Sequence, residues 1–242
     1  MKQLKPTPKL LDFFKSQADT LIFEGYCSNV DGVTIYNNGD SYALITNVNG
    51  SCKCCFKTDN EEFVLEVLGK LDGRVELCGV DPLVTDCLKR RHSFLWETNC
   101  YLYAWNGEPL SYACRQEIRP MSSVFAQRIS DGTHYHAPTE EIKECLIRHP
   151  STAVYVDDEP VCWCLLHLEK SLGMLYTVPE HRHKGYALEV MTALCNKVIA
   201  QGDIPYAYIV QDNIASQNLA AKYNLAYVKQ ADYFEIDLDA KM

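Results

Sequence analysis

The feature that most constrains the fold is a strand, a short basic loop and a long amphipathic helix in immediate succession. The β-rich run Leu172–Val178 ends at Pro179, and a loop with arginine, histidine and lysine follows it. From Arg182 to Ala200, apolar residues recur at the spacing of one helix face. A strand that leads straight into a helix of this length predicts an α/β protein whose helix packs on a sheet.

The second half of the chain surrounds this segment with alternating strands and helices. The acidic turn Asp157–Pro160 separates two β-rich runs and predicts a hairpin, and Gly202 predicts the end of the long helix. The pattern indicates a mixed, mostly antiparallel sheet flanked by helices. The predicted elements are a helix at Pro138–Leu146, strands at Ser151–Val156, Val161–Leu168 and Leu172–Val178, a helix at Arg182–Ala200, a strand at Ile204–Val210, a helix from Asp212 or Asn213 to Tyr223, and a strand at Ala226–Ile236.

The first half repeats part of that order. The Asn49-Gly50 pair lies between two β-rich runs and predicts a hairpin turn. We therefore expect two related domains, residues 1–116 and residues 117–242, with their boundary between about Pro109 and Pro120. One continuous sheet is the alternative that the same pattern allows. The predicted elements are strands at Tyr42–Val48 and Cys52–Lys57, a helix at Asp59–Leu71, a strand at Val75–Val80, a helix at Pro82–Arg90 and a strand at Trp96–Trp105.

Charge and apolar composition exclude several classes of function. The chain has 32 acidic and 23 basic residues and a net charge of −9, the wrong sign for a protein that binds nucleic acid through its phosphates. No apolar run approaches the roughly 20 residues that a membrane helix needs. Asp12 and Lys15 also interrupt the apolar start that a signal peptide would require. We therefore expect a cytoplasmic protein that binds neither nucleic acid nor a membrane.

Cysteine is abundant, with 12 copies in the chain. The densest group, Cys52, Cys54 and Cys55, lacks the paired spacing of a zinc site, so we expect no metal. Cys162 and Cys164 alternate along a β-rich segment, which is typical of small apolar side chains on one face of a strand. We expect reduced thiols with structural roles.

The loop before the long helix has the chemistry of an anion site. The first turn of a helix leaves backbone N–H groups unpaired and carries partial positive charge, so it favours a phosphate. Gly185 lets the backbone approach a phosphate without a Cβ between them, and Ala187 permits close packing in the first turn. Arg182 and Lys184 add positive charge to an acidic protein. The alternatives are an ordinary basic loop and a different phosphate ligand, although no GxGxxG or GxxxxGK[ST] nucleotide motif is present.

This segment resembles the acetyl-CoA signature of the GNAT (GCN5-related N-acetyltransferase) superfamily, Arg/Gln-x-x-Gly-x-Gly/Ala. Here it reads Arg182-His183-Lys184-Gly185-Tyr186-Ala187, and Asn213–Lys222 is similar to the helix that follows in the superfamily. The resemblance covers roughly residues 117–237. It implies a GNAT-like acyltransferase fold, acetyl-CoA as the acyl donor, and its pyrophosphate on the amides of residues 183–187.

The resemblance also implies contacts to the pantetheine arm of the cofactor. Tyr176 and Val178 would contribute through their backbone groups, and Asn213 and Ser216 would contact the arm or hold the strands apart. For Asn213, a plain helix N-cap is the alternative.

The first half resembles a degenerate second copy. Phe56–Asn60 lies where the phosphate loop belongs, and no Arg-x-x-Gly-x-Ala occurs there. Two copies in tandem, one of them degenerate, are also similar to glycine N-acyltransferase-like proteins. The resemblance implies cofactor binding in the second half, with the first half shaping the acceptor pocket or an interface.

The catalytic residues are less clearly marked. Many GNAT members carry a tyrosine acid one place after the helix leucine. This chain has Ala220 there, so Tyr223, one turn further on, is the substitute. Glu169 is the predicted base, although the glutamate of glycine N-acyltransferase-like proteins aligns with Ser171. The alternatives for the base are His167 and Glu180.

These residues together predict an N-acetyltransferase that moves an acetyl group to a primary amine of a small molecule or peptide. At pH 7 an unperturbed lysine amine is deprotonated roughly once in 2,500 and a peptide α-amine about one time in ten, so the α-amine needs less help. His134 and His136 could line the acceptor entrance or lie in solvent. A CoA-binding sensor or interaction module without an acid is the alternative function, favoured by Ala220. The sequence is compatible with a homodimer.

Overall fold

The computed structural model describes residues 1–107, 115–132 and 137–240. The chain divides into two compact units. The first contains residues 1–103, 208–214 and 227–242, and the second contains residues 104–207 and 215–226. The division does not follow chain order, because the C-terminal strand is counted with the first unit.

The elements before residue 108 are β1 (Lys2–Leu4), α1 (Pro8–Lys15), α2 (Leu21–Asn29), β2 (Thr34–Asn38), β3 (Ser41–Val48), β4 (Ser51–Lys57), α3 (Glu61–Leu68), β5 (Arg74–Val80), α4 (Pro82–Lys89) and β6 (Phe94–Trp105). Those after residue 114 are α5 (Ala126–Gly132), α6 (Thr139–Arg148), β7 (Ser151–Val156), β8 (Glu159–Leu166), β9 (Leu172–Thr177), α7 (Tyr186–Ala200), β10 (Tyr206–Val210), α8 (Ile214–Lys222) and β11 (Leu225–Asp237).

The first unit is built on an eight-stranded sheet in the order β1-β2-β3-β4-β5-β11-β6-β10. Strands β1 to β4 follow one another as antiparallel neighbours, whereas β4 and β5 pair in parallel across the helix α3. Strand β11 pairs antiparallel with β5 and places Phe234 opposite Leu77. The strand closest to the C-terminus is therefore an internal strand of this sheet.

Helices cover both faces of that sheet. On one face, α3 and α4 bury an apolar cluster that contains Phe63, Val84 and Phe234, each no more than 1% exposed. On the other face, Phe14 of α1 packs edge-on against Tyr42 of β3, with their ring centroids 5.4 Å apart. Strand alternation produces this division, because Tyr42 and Ala43 are neighbours in β3 and point to opposite faces.

The second unit is built on a three-stranded antiparallel sheet in the order β7-β8-β9. Helix α7 packs on one face, where Cys164 Sγ lies 3.2 Å from Met191 Sδ and Thr152 Oγ1 donates to the Val190 carbonyl at 2.8 Å. Helix α5 packs on the other face, where Gly132 approaches the indole of Trp163. This unit is thus a sheet between helices.

Most of the predicted elements are confirmed, and so is the mixed, mostly antiparallel fold class. The long helix begins at Tyr186 and not at Arg182, because a single 3₁₀ turn at Pro179–His181 and the basic loop precede it. The four elements before residue 39 were not predicted. The predicted boundary after residue 116 separates two related copies along the chain. The compact units are a different kind of division, so this boundary stays a prediction. In the described ranges, no helix combines the length and apolarity needed to cross a membrane.

The C-terminal strand should contribute strongly to the stability of the first unit. Ile236 is 0% exposed in the cluster beneath α3 and α4. We expect Ile236→Ala to lower the free energy of unfolding by about 2–5 kcal/mol through lost apolar burial and a residual cavity. Urea denaturation followed by circular dichroism measures this loss. The matched control is Ile147→Ala, whose side chain is 78% exposed and should cost less than about 0.5 kcal/mol. Equal midpoints for the two variants would contradict the prediction.

Candidate functional site

The basic loop joins the end of β9 to the start of α7 on the surface of the second unit. Arg182, His183, Lys184 and Gly185 are exposed. Gly185 has φ of 85° and His183 has φ of 61°, so two left-handed residues close the turn. The left-handed region is available to glycine without a steric penalty, which accounts for Gly185.

The N-terminus of α7 is open to an anion. The first hydrogen bonds of the helix run to the Gly185 carbonyl from Leu188 at 3.0 Å and from Glu189 at 3.3 Å. No described side chain caps this end. A Cβ built on Gly185 would meet no heavy atom within 4 Å, so open space lies in front of the turn. Unpaired amides, partial positive charge and open space together suit a phosphate group.

The corresponding loop of the first unit is closed by its own side chains. It joins β4 to α3, where Asn60 Oδ1 accepts from the Phe63 amide at 3.2 Å. The Asn60 amide itself donates to Thr58 Oγ1 at 3.0 Å. A capped helix end offers fewer donors to a ligand. The two loops therefore differ in the property that the anion site requires.

The basic side chains of the second loop have different surroundings. Arg182 folds back on β9: its Nε donates to the Thr177 carbonyl at 3.1 Å, and its guanidinium carbon lies 5.8 Å from the centroid of the Tyr176 ring. Lys184 Nζ lies 3.4 Å from His181 Nδ1. The exposed Lys184 therefore adds charge beside the open amides, and Arg182 covers the end of the strand.

Strand β9 is an edge strand of its sheet and offers backbone groups to a ligand. The Val178 amide donates to the Val161 carbonyl at 2.9 Å, so that residue is turned toward β8. The backbone N–H and C=O groups of successive residues point to opposite edges of an antiparallel strand. The backbone groups of Tyr176 therefore also point toward β8, and those of Thr177 point toward the open edge. The register therefore does not support pantetheine contacts through the Val178 and Tyr176 amides. Thr177 has its amide toward that edge, which the sequence did not predict because strand parity is not visible before pairing is known.

A β-bulge interrupts the pairing of β9 near its middle. Trp163 pairs with Tyr176 and Leu165 pairs with Gly173, so Met174 and Leu175 together lie opposite Cys164. Met174 has φ of 51°, a conformation that is uncommon for a residue other than glycine. Bulges of this kind are over-represented next to active sites, where they redirect backbone groups.

The predicted base lies in the turn between β8 and β9. The hydroxyl of the buried Ser171 donates to the Glu169 carboxylate at 2.6 Å, and the Tyr206 hydroxyl donates to the Glu169 carbonyl. The structure thus brings the Glu169 carboxylate to Ser171, the position that aligns with the glutamate of glycine N-acyltransferase-like proteins. Among the alternatives, His167 is half-buried over Gly173 and Glu180 is exposed.

Tyr223 is the predicted acid, and Asn213 and Ser216 are the residues predicted to contact the pantetheine arm. Tyr223 is 1% exposed, and its hydroxyl donates to the Ala187 carbonyl at 3.0 Å, in the first turn of α7. Asn213 is exposed before α8, and its amide donates to the Val210 carbonyl at 2.9 Å. Ser216 is half-buried in α8. Asn213 is counted with the first unit and Ser216 with the second, and the roles of all three residues stay predictions.

The described thiols are poor nucleophiles. Burial raises the pKa of the Cys162 thiol to about 11 and that of Cys195 to about 12, so both are protonated at neutral pH. In residues 1–107, 115–132 and 137–240, no group of three or more histidine, cysteine, aspartate or glutamate side chains could hold a metal ion. His134 and His136 lie outside the described residues.

Comparisons with known proteins agree with this geometry. The sequence model of the FR47-like protein family matches residues 157–233, which contain β9, the basic loop and α7. No curated protein sequence matches the chain. Three solved structures are similar to it: a Drosophila protein (TM-score 0.71, 15% identity, 98% of this chain and 92% of that one), a GCN5-related N-acetyltransferase from Kribbella flavida (0.59, 9%, 93% and 96%), and a tandem GNAT protein from the clavulanic acid biosynthesis pathway (0.57, 9%, 97% and 95%).

The chain has the GNAT fold. The predicted resemblance to the GNAT superfamily is therefore confirmed, and with it the GNAT-like fold class. Identities of 9% to 15% to these structures concern the fold alone. The similarity to a tandem GNAT protein covers nearly the whole chain, in agreement with the expectation of two GNAT-like halves.

In this GNAT fold, we expect the Tyr223 hydroxyl to anchor the end of α8 to the first turn of α7. We expect Tyr223→Phe to lower the free energy of unfolding by about 1 kcal/mol, because one buried hydrogen bond to the Ala187 carbonyl is lost and the ring is kept. Urea denaturation measures the loss. The matched control is Tyr227→Phe, since the Tyr227 side chain is 57% exposed. If both variants unfold at the same urea concentration, the Tyr223 hydroxyl does not anchor the helix.

Proposed function

We propose that the protein is an N-acyltransferase that moves the acetyl group of acetyl-CoA to a primary amine. The observation that carries this proposal is the exposed, uncapped N-terminus of α7 behind Gly185, at the end of an edge strand. The FR47-like match and the GNAT fold support acyl transfer in general. The acetyl donor, the amine acceptor and the residue roles below are our proposal.

In this proposal the diphosphate of acetyl-CoA binds the amides of residues 183–187. Lys184 supplies local positive charge, and the absent side chain of Gly185 leaves room for the phosphate oxygens. The pantetheine arm then extends along the open edge of β9 and accepts from the Thr177 amide, since the Thr177 carbonyl is already bonded to Arg182 Nε. Tyr176, whose ring is half-exposed beneath Arg182, contributes its side chain to the same wall.

The chemical step is a direct attack on the thioester. The amine nitrogen bonds to the carbonyl carbon, the carbon–sulfur bond breaks, and CoA leaves as a thiolate. The nitrogen loses one proton and the thiolate gains one, so the products are an amide and CoA thiol. Most of the acceleration comes from holding amine and thioester in attack geometry. The bulge at Met174 is the candidate for stabilising the carbonyl oxygen, since backbone N–H groups outside the ladder can serve another acceptor.

Glu169 and Tyr223 take the proton-transfer roles in this proposal. Glu169 accepts the proton of the amine, held in place by the Ser171 hydroxyl and by the bond from Tyr206 to its carbonyl. Tyr223 donates a proton to the departing thiolate, for which it must first release the Ala187 carbonyl. A peptide or amino-acid α-amine suits a site with one carboxylate base, because it is more readily deprotonated than a lysine side chain.

A methyl group at the phosphate loop should impair binding of acetyl-CoA. We expect Gly185→Ala to weaken binding at least about tenfold, because its Cβ would occupy the space proposed for the diphosphate. Isothermal titration with acetyl-CoA measures the dissociation constant. Gly202→Ala is the matched control, since Gly202 also has positive φ and open space but lies at the other end of α7. Both variants should lose similar stability from backbone strain, about 1–2 kcal/mol. The proposal fails if the wild type does not bind acetyl-CoA or if the two variants bind it equally.

Neutralising the base should slow transfer without affecting the cofactor. We expect Glu169→Gln to lower kcat/KM for the amine by about 10²–10⁴-fold, the usual contribution of a positioned base. The dissociation constant of acetyl-CoA should not change. Glu180→Gln makes the same change at the alternative, exposed carboxylate and should leave kcat/KM near the wild-type value. A large loss in Glu180→Gln with none in Glu169→Gln would exchange the two assignments.

A CoA-binding module without turnover is the second candidate function. Two observations favour it: Ala220 is buried where the family tyrosine is expected, and the Tyr223 hydroxyl is bonded to the backbone. Thiol release from acetyl-CoA, measured across a panel of amines, separates the candidates. Binding of acetyl-CoA with no amine-dependent release supports the module. Its partners, a homodimer and a cytoplasmic location stay predictions in either case.

A further inference from the structure

The first part of β6 is a strand edge that no described strand covers. In its sheet β6 lies between β11 and β10, but β6 has 12 residues and β10 has five. The Trp105 amide donates to the Pro205 carbonyl just before β10, and the Gln211 amide donates to the Asn99 carbonyl just after it. The two strands are therefore antiparallel, and residues 94–98, the β6 edge, extend past the end of β10.

The same bonds show which backbone groups the β6 edge presents. The Asn99 carbonyl points toward β10, and the direction of backbone groups alternates along a strand. Leu95 and Glu97 therefore point their N–H and C=O groups to that same side, where the described sheet has no further strand beyond the end of β10. An uncovered row of donors and acceptors is a template for pairing with another extended chain.

Large apolar side chains are exposed around the β6 edge. Leu95 is 50% exposed and Trp96 is 40% exposed, although neighbours in a strand point to opposite faces. Ile214, at the start of α8 and four residues after β10, is 59% exposed. Proteins commonly protect an open edge with proline or lysine, and residues 94–98 contain neither. Exposed apolar side chains beside open backbone groups are typical of an interaction site.

The step where β10 ends beside the β6 edge is acidic. A cleft of about 450 Å³ lies there, lined by Glu97, Thr98, Asn99, Val210, Gln211 and Asp212. These described lining residues include two carboxylates and no basic side chain. Lys89 of α4 pairs with Glu97 at 2.6 Å, and both side chains remain partly exposed. The charge at the step therefore favours a partner with a basic side chain.

A second copy of this chain fits the β6 edge less well than a basic peptide does. Two copies paired edge to edge about a twofold axis would bring the same acidic step of both copies together. Like charges that face each other across paired strands destabilise the pairing. The net charge of −9 adds a general repulsion between copies.

We infer that the β6 edge binds an extended peptide segment of a partner protein as an added β-strand. The peptide carries lysine or arginine opposite Glu97 and apolar residues opposite Trp96 and Leu95. It runs antiparallel to β6, the more stable pairing, so its motif reads basic, apolar, apolar from the N-terminus. The residues opposite Leu95 and Glu97 exchange backbone hydrogen bonds with them. This surface belongs to the first unit, and the inference does not depend on the proposed function.

A short capped peptide, Thr-Lys-Val-Ile-Thr, tests the inference on the full chain. It places lysine opposite Glu97, valine opposite Trp96 and isoleucine opposite Leu95. Fluorescence anisotropy of a labelled copy measures its dissociation constant. We expect the wild type to bind this peptide. The same peptide with a methyl group on the backbone nitrogen of its lysine should bind at least about fivefold more weakly, because a backbone donor is lost and the charge is kept. Absence of binding, or equal binding of the two peptides, overturns the inference.

A proline in the chain tests the backbone pairing from the other side. Leu95→Pro removes an N–H that faces the open side of β6, where an edge strand tolerates proline. We expect it to weaken binding of Thr-Lys-Val-Ile-Thr at least about fivefold. The matched control Leu95→Thr keeps the N–H and should lose less. Circular dichroism checks that both variants fold, and the methylated peptide tests the same pairing on the wild type without a variant. Equal losses in the two variants overturn the pairing.

A charge reversal tests the basic position of the motif. The wild type should bind Thr-Lys-Val-Ile-Thr about threefold or more tightly than Thr-Glu-Val-Ile-Thr, as expected for a charge pair across neighbouring strands. Glu97→Arg should reverse this order. The same order in the wild type and in Glu97→Arg overturns the assignment of a basic residue opposite Glu97.

Sedimentation equilibrium distinguishes the peptide from a second copy of the chain. A monomer, or a dimer that Leu95→Pro leaves intact, agrees with the inference. A dimer of the wild type that Leu95→Pro dissociates shows that a second copy occupies the β6 edge, and it overturns the inference.

Discussion

The edge position of β9 is the constraint on which the candidate site depends. Because β9 pairs with β8 alone in its sheet, the Thr177 amide faces an unpaired edge, and the bulge at Met174 can form without breaking a second ladder. The chain leaves this edge through a left-handed Gly185 and enters α7 with open amides. The unpaired edge therefore leads to the uncapped helix end, and the proposal of a long ligand with a phosphate at one end rests on this continuity.

The two halves of the chain use similar local geometry for different purposes. Each has a strand, a short loop and a helix, but Asn60 caps α3, whereas Gly185 leaves α7 uncapped. A cap side chain stabilises a helix by satisfying the donors that a phosphate would otherwise bind. Helix α3 is thus satisfied by its own chain, whereas the first turn of α7 is left uncapped. This difference is the physical basis for proposing one cofactor site in the GNAT fold.

Some elements of the structure were predicted from the sequence and others were not, and each case has a physical reason. Helix α7 was predicted because its apolar residues face one way, and the hairpin of β7 and β8 because an acidic turn separates two β-rich runs. Helix α2 was missed because it is buried from Leu21 to Tyr26, so it has no polar face to give a helical period. That Thr177 faces the edge of β9 was not predicted, because a shift of one residue reverses the direction of every backbone group in a strand. Glu169 stays a predicted base, and the hydrogen bond from the Ser171 hydroxyl to its carboxylate was not predicted.

The sequence by itself determined the strand, the basic loop and the helix that follows it. A proline that ends a strand, basic residues, and a glycine before an amphipathic helix are local features, and their physical consequences need no distant contact. Only the tertiary structure decided which backbone groups face the open edge, and that β11 is an internal strand of the first sheet. These facts depend on which strands pair and in what register, and pairing between residues far apart in the chain leaves no mark in a single sequence.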